Sequence, residues 1–423
     1  MATLAVSAIV IFLVLAILGI PIGWALGISS LIAIFADGTF PLTVVPLRSI
    51  AGMNSFPLMA IPFFILSGNI MTQGGLTERL LDIARVMVGW VKGSMSIITI
   101  VGSCFFSLIT GSAIATASAI GTMTIPEMIK EGYQRSYAAA VTAGAAITGL
   151  LIPPSIPLIV FASITGVSVR SLFVGTIVPG IIYSVAICFV AYFIARKHGY
   201  KTHTRRTLKE FWHTLKRGLL AIFMPIIVLG CIFAGLTTPT EASVIAVAYS
   251  LIITLFVYKG MTFAKLYKIF FDAAITTAVM FVLIGISMSL GWIIAVTNLA
   301  NIIATWVLSI TTSSFVIIAA VVIIGLLIGS MLDVLVAILI LTPVMLPLAN
   351  ALDYSPIEFG VIFVTLMCLG HVTPPLAASM LLTNSIANAN IGKTIVHALP
   401  FLIVGILLVI LLFIFPQLIS FLL

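Results

Sequence analysis

Long apolar runs follow one another along almost the whole chain, separated by short polar interruptions. A membrane-spanning helix needs about 20 consecutive apolar residues, and most of these runs come close to that length. The pattern predicts an all-α polytopic membrane protein. The runs that predict spans lie near residues 2–18, 22–36, 57–72, 171–195, 218–236, 240–258, 270–296 and 395–421.

Two further runs are too long for one span and contain glycine and small polar residues in the middle. We interpret them as re-entrant helical hairpins with tips at Gly111-Ser112 and Gly329-Ser330. The alternative is a Gly-Ser packing contact between ordinary helices, but the recurrence of the pair at matching positions favours hairpins. The hairpins are predicted at about residues 96–128 and 314–349.

Four prolines recur 221 residues later without a gap, which indicates an internal duplication. Proline has no N–H to donate, so the Pro-Pro pair in each half interrupts a membrane helix. The sequence predicts two broken helices, at about residues 136–168 and 355–389. The Gly-Ser tips align only when the offset is three residues shorter, as if a short insertion had entered the second half. The prolines are Pro126, Pro153, Pro154 and Pro179, matched by Pro347, Pro374, Pro375 and Pro400.

Composition supports the membrane assignment, since 62% of the 423 residues are hydrophobic and only 7% are charged. The net charge of +8 could suggest a nucleic-acid partner, but eight of the 19 basic residues lie in one loop, 196–217. Lys259, Lys265 and Lys268 lie in a second loop, two predicted spans further on. The positive-inside rule assigns both loops to the cytoplasm. No nucleic-acid binding is expected, whereas a patch for lipid headgroups or a partner protein on the first loop stays open.

Placing both basic loops inside orients the two halves in opposite directions, so the C-terminus is predicted outside. The result is a pair of inverted structural repeats, a design typical of secondary transporters. An amphipathic interfacial helix is predicted before each hairpin, at 76–93 and, more weakly, at 298–309. No cleavable signal peptide is expected. The predicted units are the N-terminal scaffold helices 1–56, the first repeat 57–195, the basic loop with scaffold helices 196–269, and the second repeat 270–423.

The broken helices have chemical consequences, because the proline pairs remove the N–H groups that certain carbonyls would use. Free carbonyls at a half-helix C-terminus suit a hard cation such as Na⁺, whereas free N–H groups at half-helix starts suit a carboxylate. The carbonyls predicted to be free are those of Gly149, Leu150, Pro153, Gly370 and His371. The N–H groups predicted to bind a carboxylate lie near Ser112, Ser155, Ser330 and Ser379.

Few charged residues lie inside the hydrophobic regions, and Asp333 is the most prominent of them. A buried acid is usually retained for ion or substrate handling, and the alternative is a helix-capping carboxylate. Glu241 fits a capping box with Thr238, which is a structural role. The four cysteines are solitary and are interpreted as small core residues. Three of the five histidines belong to the basic loop, whereas His371 lies in an apolar segment beside the second proline pair.

Several stretches resemble the large membrane subunit of tripartite ATP-independent periplasmic (TRAP) transporters. The resemblance implies a Na⁺-coupled importer of an organic acid, working by an elevator motion in the bacterial inner membrane. It also implies a small four-span membrane subunit and a soluble periplasmic binding protein as partners. The matching stretches are residues 54–71, 111–121, 151–162, 235–250, 329–347 and 371–388.

Carried over to this sequence, the resemblance implies about two sodium sites in this subunit. Leu376-Ala377-Ala378-Ser379-Met380 and Ala113-Ile114 depart from the family's pattern, which affects the expected substrate contacts. The predicted cation-binding residues are Ser103, Gly111, Ser112, Gly149, Ile152, Pro153, Gly329, Asp333, Gly370 and Thr373. The predicted substrate-binding residues are Ser112, Ser155, Ser330 and Ser379.

Two other classes of function fit the sequence less well than a transporter. An intramembrane enzyme would need a nucleophile and a base, but Asp333 has no matching aspartate and His371 no evident partner. A channel is less consistent with paired breaks at the midplane. The chain is therefore predicted not to be an enzyme. The substrate is predicted to be sialic acid or a C4-dicarboxylate, with a slight preference for the sialic-acid branch.

Overall fold

The computed structural model describes residues 2–200, 208–311 and 313–423, and within these ranges the chain is helical, without a β-strand. Short 3₁₀ turns lie at Phe56–Met59 and Leu369–Val372, and a π-helical turn lies at Ile253–Val257. The α-helices are α1 Ala2–Ile17, α2 Ile22–Asp37, α3 Val44–Met53, α4 Ala60–Gln73, α5 Leu76–Val88, α6 Ser94–Thr110, α7 Ala113–Lys130, α8 Arg135–Ala146, α9 Thr148–Leu151, α10 Ile156–Thr165, α11 Val169–His198, α12 Leu208–Phe233, α13 Pro239–Ile252, α14 Phe263–Val296, α15 Leu299–Ile310, α16 Ser314–Met331, α17 Val334–Ala351, α18 Pro356–Cys368, α19 Ala378–Ala387, α20 Ile391–Ile414 and α21 Gln417–Ser420.

Eight helices in the described ranges are long and apolar enough to cross a membrane, which supports the predicted polytopic architecture. The predicted N-terminal spans form helices α1 and α2 of 16 residues each. Each is about 24 Å long, shorter than the bilayer's hydrocarbon core of about 30 Å. The eight helices long and apolar enough to cross are Phe56–Gln73, Val169–His198, Lys209–Phe233, Pro239–Val257, Phe263–Val296, Ser314–Met331, Val334–Ala351 and Ile391–Ile414.

The predicted basic loop is shorter than its sequence suggested. Helix α11 continues to His198, and α12 begins at Leu208, inside the stretch 196–217. The polar start of α12 extends a span predicted to begin at residue 218. Lys201, Arg205 and Arg206 belong to the same predicted loop but lie outside the described residues.

The predicted amphipathic helix at 76–93 forms α5, which buries one apolar side and leaves Glu78 exposed. Arg85 lies on its polar side and donates to Glu127 Oε1 of α7 at 2.6 Å. The same guanidinium donates to Asp82 at 3.1 Å. These partly exposed pairs are each worth little energy, and the pair with Glu127 links α5 to α7 of the first hairpin. The weaker counterpart predicted at 298–309 forms α15.

The hairpins and broken helices of the two halves follow the ungapped offset of 221 residues. Adding 221 to Thr110 and Ala113 gives 331 and 334, where α16 ends and α17 begins. Adding it to Arg135 gives 356, where α18 begins. The three-residue insertion predicted for the second half is therefore wrong. Whether the halves are inverted across a membrane stays a prediction.

Helices α8 and α18, the first parts of the two broken helices, are buried over most of their length. Every residue of α8 from Ser136 onward is buried, and alanine and glycine make up most of that segment. Small side chains allow close helix packing, so α8 can contact α7, α19 and α20 together. Arg135, at the start of α8, donates to the Ala387 carbonyl at 2.9 Å and ties α8 to the second half.

Replacing Gly370 by alanine should destabilise the fold. A Cβ at this position would lie 2.0 Å from the Gly329 carbonyl oxygen, so the backbone of α16 would have to move. We expect a loss of about 1–3 kcal/mol, the usual cost of overpacking, measured by thermal unfolding in detergent. Gly230→Ala in α12 is the matched control, because a Cβ there meets nothing within 4 Å. Equal stability of the two variants would contradict the close contact.

Candidate functional site

The first hairpin turns at the predicted position. Gly111 ends α6 with φ +62°, and Ser112 caps α7 by accepting the Ala115 N–H at 3.3 Å. A Cβ on Gly111 would lie 2.6 Å from the Pro154 carbonyl oxygen, so this glycine permits close approach to the break. The Ile156 N–H donates to the Gly111 carbonyl at 3.4 Å. The first tip therefore rests directly on the first proline break.

The second hairpin turns three residues later than predicted. Helix α16 continues through Gly329 and Ser330 to Met331, and Asp333 caps α17 by accepting the Leu335 N–H at 2.9 Å. Gly-Ser alone does not end an apolar helix, whereas a capping side chain starts the next one. With the offset of 221, Asp333 corresponds to Ser112 rather than to a residue beyond the tip. The capping role considered for Asp333 is the one the geometry shows.

The second tip also rests on its proline break. The Leu376 N–H, directly after Pro374-Pro375, donates to the Ser330 carbonyl at 2.9 Å. Gly370 lies against Gly329, since a Cβ added to Gly370 would lie 2.0 Å from the Gly329 carbonyl oxygen. Each half therefore joins one hairpin tip to one broken helix through backbone groups.

The two tips line one small cavity of about 50 Å³. Ser112 reaches it from the first half, Asp333 and His371 from the second, and Met280 of α14 forms another side. Five residues singled out by sequence thus line one cavity, although the chain separates Ser112 from Asp333 by more than 200 residues. They are Gly111, Ser112, Leu150, Asp333 and His371. The other predicted site residues do not line this cavity; they are Ser103, Gly149, Ile152, Pro153, Ser155, Gly329, Ser330, Gly370, Thr373 and Ser379.

Two of the carbonyls predicted to be free have hydrogen-bond partners. The Leu150 carbonyl accepts from the Ser155 hydroxyl, and the Gly370 carbonyl accepts from the Thr373 N–H at 3.2 Å. A side chain and a tightened 3₁₀ turn supply the donors that the prolines lack. The hydroxyl of Ser155 therefore points back to its own break.

Two other predicted side chains are also committed to local contacts. The Ser330 hydroxyl donates to the Leu327 carbonyl at 2.7 Å. The Thr373 hydroxyl donates to the Leu369 carbonyl at 2.8 Å. An oxygen that donates its proton still has lone pairs to offer a cation, so these contacts do not prevent Ser330 or Thr373 from serving as ligands.

A group of buried hydroxyls lies beside the first break. Ser107 Oγ and Thr148 Oγ1 are 2.9 Å apart, and Ser107 also donates to the Ser103 carbonyl at 2.5 Å. Within the described part of the chain, the fully buried Ser103 Oγ has no hydrogen-bond partner. A buried polar atom without a partner calls for an explanation. Ser107 and Thr148 were missed from the sequence, although Ser107 follows Ser103 at the i+4 spacing that places both on one helix face.

His371 has a partner that the sequence did not reveal. Its Nδ1 lies 3.0 Å from Ser379 Oγ, across the second break. A Ser-His pair could suggest a hydrolase, but Ser379 is fully buried and does not line the cavity. The pair is a structural bridge between the 3₁₀ turn Leu369–Val372 and α19, the two segments that flank the proline break.

Nearly the whole chain is similar to a known protein family. Residues 9–418 match the family described as tripartite ATP-independent periplasmic transporter, DctM component. The chain belongs to this family. The predicted resemblance to the TRAP large membrane subunit is thereby confirmed, and this DctM-family chain is a multi-pass inner-membrane protein. Its relatives are transporter permeases rather than enzymes, which confirms that part of the prediction.

Two relatives of this DctM-family chain illustrate the range of similarity. It is 38% identical to the isethionate TRAP transporter permease protein DctMQ of Oleidesulfovibrio alaskensis, with 92% of this chain and 61% of that protein aligned. It is 30% identical to the sialic acid TRAP transporter large permease protein SiaM of Vibrio cholerae, with 94% and 93% aligned. This chain therefore spans less than two thirds of DctMQ but nearly all of SiaM.

The fold is also similar to that of a solved transporter with little sequence in common. The crystal structure of the YdaH transporter of Alcanivorax borkumensis superposes with a TM-score of 0.66 at 15% identity. The alignment covers 90% of this chain and 89% of that one. At this identity the likeness concerns the fold alone.

Removing the Asp333 carboxylate should weaken the second hairpin. We expect Asp333→Ala to lower the free energy of unfolding by about 1 kcal/mol, because α17 loses its N-cap. Asp333→Ser should recover most of that loss, since Ser112 caps α7 with a hydroxyl in the same way. Thermal unfolding of both variants in detergent measures the difference. A serine variant as unstable as the alanine variant would contradict the capping role.

Proposed function

We propose that this chain is the large permease subunit of a sodium-coupled importer of small organic acid anions. The observation that carries the proposal is the single cavity where Ser112, Asp333 and His371 meet from both halves. Paired tips at one site are suited to binding a substrate that is then exposed to either side in turn. An elevator movement of hairpins and broken helices against the remaining helices is the corresponding mechanism.

The cation sites proposed in the two halves lie next to the proline breaks. In the first, the buried Ser103 hydroxyl oxygen has no hydrogen-bond partner among the described residues. The Gly149 carbonyl has no N–H at the i+4 position, because that residue is Pro153. In the second, Asp333 supplies a carboxylate that lines the same cavity as His371, the residue after Gly370. Hydroxyl, carbonyl and carboxylate oxygens are the ligands that hard cations prefer. About two sodium sites are therefore proposed for this subunit.

The substrate is proposed to bind between the tips, at the N-terminal ends of α7 and α17. Helix starts offer unpaired N–H groups and a positive dipole end to an anion. Of the described residues that line the cavity, none is lysine or arginine, so binding would rest on these groups and on the sodium ions. A cavity of about 50 Å³ is too small for an organic acid, and the tips must separate to admit one.

The chemical class of the substrate is proposed to be a small organic acid rather than one named compound. One relative carries isethionate in its name, a sulfonate, and another sialic acid, a carboxylate. Both are oxyanions that helix N-termini can bind. The slight preference for sialic acid made from the sequence stays a prediction, and C4-dicarboxylates remain an alternative.

The proposed partners are a small four-span membrane subunit and a soluble periplasmic binding protein. The name DctMQ and the extra length of that relative support a membrane partner, which the relative would carry within one chain. The binding protein is proposed from the family description, which names periplasmic transport. The C-terminus is proposed to lie in the periplasm, on the side opposite the basic loops.

Reconstitution tests the proposed coupling. Proteoliposomes that contain this chain with its small subunit, supplied with the binding protein and substrate, should take up substrate only under an inward sodium gradient. Asp333→Ser keeps the helix cap but removes the carboxylate, so we expect a weaker apparent sodium affinity. Asp272→Ser in α14 removes an acid elsewhere and serves as control. Uptake that is equal with choline in place of sodium would refute the coupling.

Ser103→Ala tests the first cation site separately. Within the described residues the Ser103 hydroxyl has no hydrogen-bond partner, so its loss should leave thermal stability without sodium unchanged. The stabilisation by sodium should fall, because a bound ligand stabilises only the state that binds it. Ser67→Ala is the matched control, a buried serine whose hydroxyl donates to Phe64 at 3.0 Å. An unchanged sodium effect in Ser103→Ala would remove this residue from the site.

A further inference from the structure

An apolar groove of about 480 Å³ lies between α6 of the first hairpin and α11. Its walls include Val101 and Phe105 from α6 and Val185 and Phe189 from α11. Val185 is 49% exposed and Phe189 60% exposed, so the groove opens to the outer surface of the helix bundle. In a multi-pass membrane protein, that surface faces lipid.

A second apolar groove of about 250 Å³ adjoins the first. It lies between α6 and α12, and Phe105 lines both grooves. Leu80 of the amphipathic helix α5 and Ile226 of α12 form the opposite walls. The two grooves thus form adjacent depressions on either side of one phenylalanine, a shape that fits the two chains of one phospholipid.

The length of the first groove fits one leaflet. Its walls run from Ile97 to Phe105 on α6 and from Ser184 to Tyr192 on α11. Eight residues of helix rise about 12 Å, close to half of a hydrocarbon core of about 30 Å. An acyl chain from a single leaflet would therefore occupy the groove from end to end.

One end of the groove carries residue types that are common at the level of the lipid headgroups. Tyr192 lines this end, and Trp90 lies next to the lining residue Val91; Tyr and Trp concentrate at the level of the headgroups. Exposed Lys92 and Arg196 follow just beyond. They lie close together, because a Cβ on Gly93 would be 2.0 Å from the Cβ of Ala195.

We propose that this crevice binds one anionic diacyl phospholipid of the cytoplasmic leaflet, with a chain in each groove and the phosphate beside Lys92 and Arg196. The apolar walls recognise the acyl chains, and the two cations recognise the negative headgroup. The lipid would contact the first hairpin, α11 and α12 at once. Lipid binding of this kind does not depend on the proposed sodium coupling or substrate.

Photolabelling of the full chain in nanodiscs tests the proposal. The probes are phosphatidylglycerol and phosphatidylcholine, each with a diazirine in the acyl chain, and mass spectrometry locates the labelled peptides. Labels should concentrate on Ile97–Phe105 of α6 and on 184–192 of α11, with phosphatidylglycerol preferred. Val185→Trp fills the groove and should reduce that labelling at least fivefold, whereas Val279→Trp on exposed α14 should leave it unchanged.

The headgroup contact is tested with exposed residues that are not needed for folding. Lys92→Gln/Arg196→Gln should reduce the preference for phosphatidylglycerol by roughly thirtyfold, as expected for two basic residues near a membrane surface. Lys216→Gln/Lys268→Gln removes the same charge from other exposed positions and should preserve the preference. Labelling of α6 and α11 no stronger than that of α14 would overturn the proposal. So would a crosslink showing that a helix of the small membrane subunit fills the groove.

Discussion

A backbone N–H or carbonyl group inside a membrane must find its partner within the protein, and this structure depends on how that requirement is met at two proline breaks. Each break is joined to a hairpin tip: the Ile156 N–H donates to Gly111, and the Leu376 N–H donates to Ser330. Glycine makes both contacts possible, because a side chain on Gly111 or Gly370 would collide with the opposing backbone. Tip and break therefore satisfy backbone groups of one another in each half.

The same contacts determine where a site can form. With each tip held against its own break, the two helix starts at Ser112 and Asp333 face one cavity. A cation needs only a few oxygen atoms and little room, whereas an organic acid needs more space than about 50 Å³. The cavity between the tips is thus too small for the proposed substrate in this structure, whereas the proposed ions lie next to the proline breaks. Substrate entry would require the tips to move apart while the tip-to-break contacts persist.

The size of the side chains differs between the inner and the outer helices around the two tips. The small-residue helix α8 is buried almost throughout, while α11 and α14 keep large apolar side chains such as Phe189 and Val279 exposed. Small residues permit close backbone approach among the inner helices, and large residues match the surrounding lipid. The grooves beside Phe105 lie at this boundary, between the first hairpin and α12. A bound lipid would therefore act where the proposed moving and fixed parts meet.

The sequence by itself determined the helical membrane architecture, both proline breaks, the first tip and the family, because apolar run length and missing N–H groups act locally. It also identified Ser112, Asp333 and His371 as notable residues. The tertiary structure decided that the second tip lies at Asp333 and that Ser379 is the partner of His371. It also decided that the carbonyls of Leu150 and Gly370 have hydrogen-bond donors. Both tips reach one cavity only in the folded chain. These features depend on caps and hydrogen-bond partners whose geometry is fixed only when distant segments pack together.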